Sequence, residues 1–257
     1  MLPKDFAERF ATTGLYVRRV SARPPVQFQV LGERGTATNM VRKVIDKNVG
    51  IERTEGLGWK HAVPHMVAIP EDMLVICVVR NAVSWALSMH KRPWHAHPEV
   101  QALPFSEFIR AEWRGIVDRP ADFEEIHPEL VAHVDAAELQ FDRHPITGKR
   151  FANLFDLRNV KQAAMLGMLN RDCNVLVVKA ELVQLDQPRF AAWMIEQFGL
   201  PISGLRIKPV TARLGNRFNR SADARTPEEM SEADAAFMRS QLDLGMEAAL
   251  GYDYAPE

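Results

Sequence analysis

The spacing of apolar positions changes period within the first fifty residues. Val26, Phe28 and Val30 alternate with Gln27 and Gln29 up to Leu31, the period-two pattern of a half-buried strand. A turn rich in Gly and Thr follows, Gly32-Glu33-Arg34-Gly35-Thr36-Ala37-Thr38-Asn39. From Met40 the period is helical, with Met40, Val41 and Val44 on one stripe and Arg42, Lys43, Asp46 and Lys47 outside it. Residues 56–64 read as a short second strand ending in a turn. Met73 to Val79 is a continuous β-branched run, as in a parallel sheet covered on both faces. Helices are predicted over about Ala82–His90, Phe105–Val117, Phe155–Leu169 and Arg189–Gly199, with a strand at Asn174–Val178. Thr226-Pro227-Glu228-Glu229 has the residue types of a helix start, and a further helix spans about Ser231–Leu250. Strands that return after helices predict an α/β fold, a parallel β-sheet flanked by helices on both sides. A single domain over residues 1–257 is expected, with 94–150 an insertion covering the site and 208–257 a C-terminal loop and helix.

Composition narrows the partners. The 257 residues are 47% hydrophobic and 25% charged, an ordinary globular balance. A net charge of −1 lacks the basic surplus of a nucleic-acid binder. No long apolar span or signal peptide is seen, so no membrane partner and a cytoplasmic location are expected. Cys77 and Cys173 lie in apolar runs and read as buried thiols, not a disulfide. His90, His95 and His97 crowd a proline-broken stretch but lack the further ligand at defined spacing that zinc needs; no metal is expected, and the stretch reads as an acceptor-lining loop.

The chemistry gathers at predicted strand ends. A strand, a glycine loop and a helix aim backbone N–H groups and a helix N-terminus at one point, which favours an anion. The loop is not a Walker loop: counted from Gly32, Ala37 and Thr38 occupy the Gly-Lys positions. Without that lysine, triphosphate cleavage is disfavoured, whereas binding of a single 5′-phosphate is not. Lys60 and His61 precede Pro64, and Arg80 ends the strongest strand with Ser88 eight positions on, where both could hold one anion.

A degenerate P-loop, a Lys-His pair and a strand ending in Arg-Asn with a following Ser together resemble the sulfotransferases, which use 3′-phosphoadenosine 5′-phosphosulfate (PAPS). The likeness is clearest over 26–93 and implies a P-loop-like sulfotransferase architecture. It implies that Gly32, Gly35, Thr36, Ala37, Thr38 and Asn39 hold the 5′-phosphosulfate. Arg80 and Ser88, with a C-terminal basic residue such as Arg217, would then hold the 3′-phosphate. Arg34, Lys60 and His61 would be catalytic, with His61 as the base, and the acceptor would be a small molecule or a glycan bearing a hydroxyl or amine. Thr36-Ala37-Thr38 stands where the family usually has Ser-Gly-Thr, and Lys179-Ala180-Glu181-Leu182 where it commonly has Tyr-Glu-Asp-Leu. The alternatives are a P-loop kinase of a small metabolite and a degenerate, non-catalytic nucleotide-binding module. The oligomeric state is not legible.

Overall fold

A computed structural model of the chain describes residues 2–125, 127–211 and 226–255. After α1 (Phe6–Thr13) come five strands of one sheet: β1 (Leu15–Arg18), β2 (Gln27–Leu31), β3 (Glu52–Arg53), β4 (Met73–Val79) and β5 (Asn174–Lys179). Their spatial order is β1-β5-β4-β2-β3. β3, β2, β4 and β5 run parallel, with Leu31 opposite Cys77 and Val79 opposite Lys179. β1 is antiparallel to β5, with Leu15 opposite Val178. The sheet is therefore mixed, not wholly parallel as the sequence predicts. The departure starts at Gly14, whose left-handed φ of 68° ends α1 and turns the chain straight back along β5.

The sheet's two faces are built from alternating positions. Phe28, Val30, Leu74, Ile76, Val78, Leu176 and Val178 pack against α2 (Thr38–Asn48), and further along the chain against α7 (Ala180–Leu185) and α8 (Gln187–Phe198). On the other face, Leu31, Val75, Cys77, Val79, Val175 and Val177 meet Phe6 and Phe10 of α1 and the end of α6 (Leu154–Leu166). A third cluster joins α3 (Ala82–Lys91), the short α4 (Pro98–Gln101) and α5 (Phe105–Phe108), α6 and α9 (Glu232–Gln241). The last helix is α10 (Leu244–Ala249). None of the described helices is long and apolar enough to cross a membrane. Cys77 and Cys173 are both buried and unpaired.

Several local expectations are corrected. β2 is not half-buried: Gln29 is fully buried, because its amide accepts from Leu57 N (2.8 Å) and donates to Gly58 O (2.6 Å). Those same bonds hold 56–64 as turns across the end of β2, so the predicted second strand there is absent. The helix expected over Phe105–Val117 stops at Phe108, and Ile116 instead forms a β-bridge with Glu138. Near the C-terminus Ser231, not Thr226, is the helix cap, with its Oγ accepting from Asp234 N.

Candidate active site

The sheet sets the position of the site. From β2 the chain crosses through α2 to β3 on one side, while β4 lies on the other side and leads toward β5. Between β2 and β4 the winding changes direction, and beyond the carboxyl ends of two such strands an open α/β sheet leaves a crevice. Into that crevice the chain delivers residues 32–39 from β2 and Arg80-Asn81 from β4.

The loop is held from outside. Gly32 N donates to Lys60 O (2.9 Å), Trp85 Nε1 donates to Arg34 O (2.8 Å), and Arg80 Nη1 donates to Gly35 O (2.7 Å). Within it, Thr36 Oγ1 donates to Glu33 O at 2.7 Å. The amides of Glu33, Arg34, Gly35, Ala37, Thr38 and Asn39 and the Thr38 hydroxyl find no hydrogen-bond partner among the described residues. Thr38 and Asn39 are among the donors that any helix N-terminus leaves free; with the loop amides before them they form a cluster that could donate to one anion.

Two backbone positions give the loop this shape. Gly35 has φ 79°, and a Cβ there would also press on Met89 Sδ at 3.3 Å. At Gly32 a Cβ would lie 2.7 Å from Thr38 Cγ2 and 3.0 Å from Val78 O. Ala37, the residue before α2, is left-handed at φ 64°. It stands where the resembled family has glycine, which takes that conformation without steric penalty.

The catalytic candidates flank the loop. His61 Nδ1 lies 2.5 Å from Gly32 O. A carbonyl only accepts, so Nδ1 carries the proton and Nε2 keeps its lone pair. Burial, then the charges of Lys60 and Arg34, hold the His61 pKa well below its ordinary value, so the ring is neutral. Lys60 Nζ donates to Asn39 Oδ1 (2.9 Å) at the start of α2, and burial lowers its pKa to about 8. Arg34 turns the other way: Nη2 pairs with Asp118 at 2.9 Å and the guanidinium lies 4.9 Å from the centre of the Trp59 ring. It joins the loop to the 94–150 segment.

Just after β4, Arg80 donates from Nε to Ser84 Oγ of α3 at 3.1 Å. The hydroxyl of Ser88, one turn further along the same face, has no hydrogen bond among the described residues, and the structure brings Ser84 into direct contact with Arg80. Arg217, with Arg213 and Arg220, lies outside the described residues. Among the described residues no group of three or more His, Cys, Asp or Glu is placed to hold a metal ion.

Charged residues of α6, absent from the sequence reading, support both halves of the site. Arg158 is fully buried: Nε and Nη2 grip Glu247 (2.7 and 3.0 Å), and Nη2 also donates to Arg80 O at 2.8 Å. Gln162 and Tyr254 donate to the same carboxylate, and Tyr254 Oη accepts from Ala82 N at 2.7 Å. Lys161 pairs with buried Asp142 and donates to His61 O at 2.9 Å, while Trp113 Nε1 donates to Asp142 at 3.1 Å. Between the two lies Glu33, buried, with Oε2 unpartnered among the described residues. Burial pushes its pKa up to about 7 against the opposing pull of Lys161 and Arg158.

Comparison of the chain with protein-family models, curated proteins and solved structures found no match.

Proposed function

We propose that the chain is a sulfotransferase of P-loop-like architecture that moves a sulfuryl group from PAPS to an acceptor hydroxyl or amine. The observation that carries this reading is the set of unpartnered loop amides at the crevice between β2 and β4, with Arg80 beside them. Those amides would take the 5′-phosphosulfate, and Arg80 with Ser84 or Ser88 the 3′-phosphate. Sulfuryl transfer resembles phosphoryl transfer in needing position and charge stabilisation more than a covalent intermediate.

The residues divide the step between them. The acceptor oxygen forms a bond to sulfur as the bond from sulfur to the bridging phosphate oxygen breaks. The acceptor's proton passes to His61 Nε2, which the Nδ1–H···Gly32 contact leaves as the basic nitrogen. Lys60 and the loop N–H groups offset charge growing on the departing 3′,5′-bisphosphoadenosine. Arg34, engaged with Asp118 and Trp59, holds the loop to the 94–150 segment.

The kinase alternative lacks the Walker lysine, and nothing in the site favours it. A thermal-shift comparison separates the two. With ligand at about 100 times its Kd, 3′,5′-bisphosphoadenosine without metal should stabilise the chain by roughly 2.7 kcal/mol. Stabilisation by ATP with Mg²⁺ alone would select the kinase; no shift with either would leave a non-catalytic relic of the fold.

A further inference from the structure

Beside the loop, the 94–150 segment forms an open cavity of about 250 Å³ lined by Trp94, Ile116, Val117, Asp118, Asp135 and Ala136. It adjoins the site directly, because Asp118 in its wall is the partner of Arg34. Behind the lining residues stand Arg34, His95 and Trp59, which hold the walls in place. Arg34 pairs with Asp118, His95 O accepts from Ile116 N at 2.9 Å, and Trp59 packs in one cluster with Val117. Ala136, on the rim, is the other non-glycine residue besides Ala37 with positive φ among the described residues, at 57°. Strained backbone of this kind concentrates where ligands are held.

The walls define an occupant. Trp94, Ile116 and Val117 offer an apolar slot, and the charges in the lining are the carboxylates Asp118 and Asp135. Asp118 is already matched by Arg34, whereas Asp135 is exposed at the rim. An acidic ligand would be repelled; an ammonium group would be attracted by Asp135, and a ring-sized body fills the volume.

We propose that this cavity is the acceptor pocket and that it takes a small protonated amine with a ring-sized apolar body and a free hydroxyl. The inference rests on the sulfuryl-transfer reading and narrows its acceptor. The ammonium is the recognition handle. Carrying no lone pair, it does not accept the sulfuryl group; the hydroxyl does, forming the new O–S bond and passing its proton to His61 Nε2 as bisphosphoadenosine departs.

The test uses the full chain with tyramine and its acidic counterpart 4-hydroxyphenylacetate, each titrated in the presence of saturating 3′,5′-bisphosphoadenosine and followed by calorimetry and saturation-transfer NMR. Tyramine should bind about tenfold or more tightly than the acid, and Asp135→Lys should weaken tyramine roughly tenfold while reversing the preference. Nucleotide affinity, measured in the same samples, should change by less than about twofold. Equal binding of amine and acid, or an unchanged tyramine affinity in Asp135→Lys, overturns the proposal. Nucleotide binding with no tyramine binding overturns the acceptor assignment alone and leaves sulfuryl transfer standing. Tyramine binding with no nucleotide binding removes sulfuryl transfer and the acceptor role together. A second variant, Trp94→Ala, should weaken tyramine and the acid alike, because it removes the apolar wall and no charge.

Discussion

Two buried cations one turn apart on α6 do the same kind of work for different parts of the molecule. Arg158 ties α10 and Tyr254 to the end of β4, where Arg80 emerges. Lys161 ties the 94–150 segment, through Asp142, to the backbone of His61. The Arg158 pair is the more complete. Its carboxylate receives two bonds from the guanidinium and one each from Gln162 and Tyr254. A planar fork that meets a carboxylate at both oxygens fixes direction as well as charge. The Lys161 pair is a point charge on Asp142, with Trp113 as the additional donor. The Arg80 side of the candidate site is thus anchored through a rigid fork, and the His61 side through a point-charge contact.

The comparison is broken most severely at Glu247. Glu247→Ala leaves Arg158 buried without its counter-charge and should lower stability by about 3–5 kcal/mol, read from urea unfolding. A loss below about 1 kcal/mol would mean that Arg158 reaches solvent and that the fork does not anchor β4.

Glu33 feels both cations and sharpens the contrast through pH. With a pKa raised from 4.5 to about 7, it holds in the folded protein a proton that the unfolded chain releases between those values. Stability therefore falls as pH rises through that window and stays reduced above it. Glu33→Gln removes the effect. The variant should match the parent near pH 4 and exceed it by about 3 kcal/mol at pH 8, from melting curves across the range. A difference that does not vary with pH would show that the carboxyl is not held neutral.

The smallest effect is expected at Ala37, which belongs to neither pair. Its left-handed backbone is strained for a residue with a Cβ. Ala37→Gly should raise stability by about 1 kcal/mol or less, the relief of strain being partly offset by the greater freedom of glycine in the unfolded chain. Destabilisation would mean that the alanine methyl, packed against the core beside α2, contributes more than the strain removes.

How far the sequence could be read follows from what each residue does. β4 is visible because burial on both faces leaves no polar position in it, and β5 because of its apolar run Val175-Leu176-Val177-Val178. The loop is visible because its glycines break two clean periods. β1 escaped notice because four residues, Leu15–Arg18, are too few for a pattern and are fixed by pairing with distant β5. The strand expected over 56–64 failed because one buried side chain, Gln29, bonds that backbone in place of a neighbouring strand. Within the candidate site, Lys60, His61 and Arg80 stand out by residue type beside strand ends. Arg158 and Lys161 do not: nothing in their spacing on the expected helix sets them apart, yet both are buried. Their partners lie 89 and 19 residues away, and only the folded chain brings them together.

The central claim is that the loop and Arg80 hold the two phosphates of one nucleotide. Calorimetric titration of 3′,5′-bisphosphoadenosine and of adenosine 5′-phosphosulfate, which lacks the 3′-phosphate, into the parent and Arg80→Ala tests it most directly. Loss of the arginine should weaken the bisphosphate by about 1.5–3 kcal/mol and leave the phosphosulfate nearly unchanged. Equal losses for both ligands, or no binding of either to the parent, would contradict it.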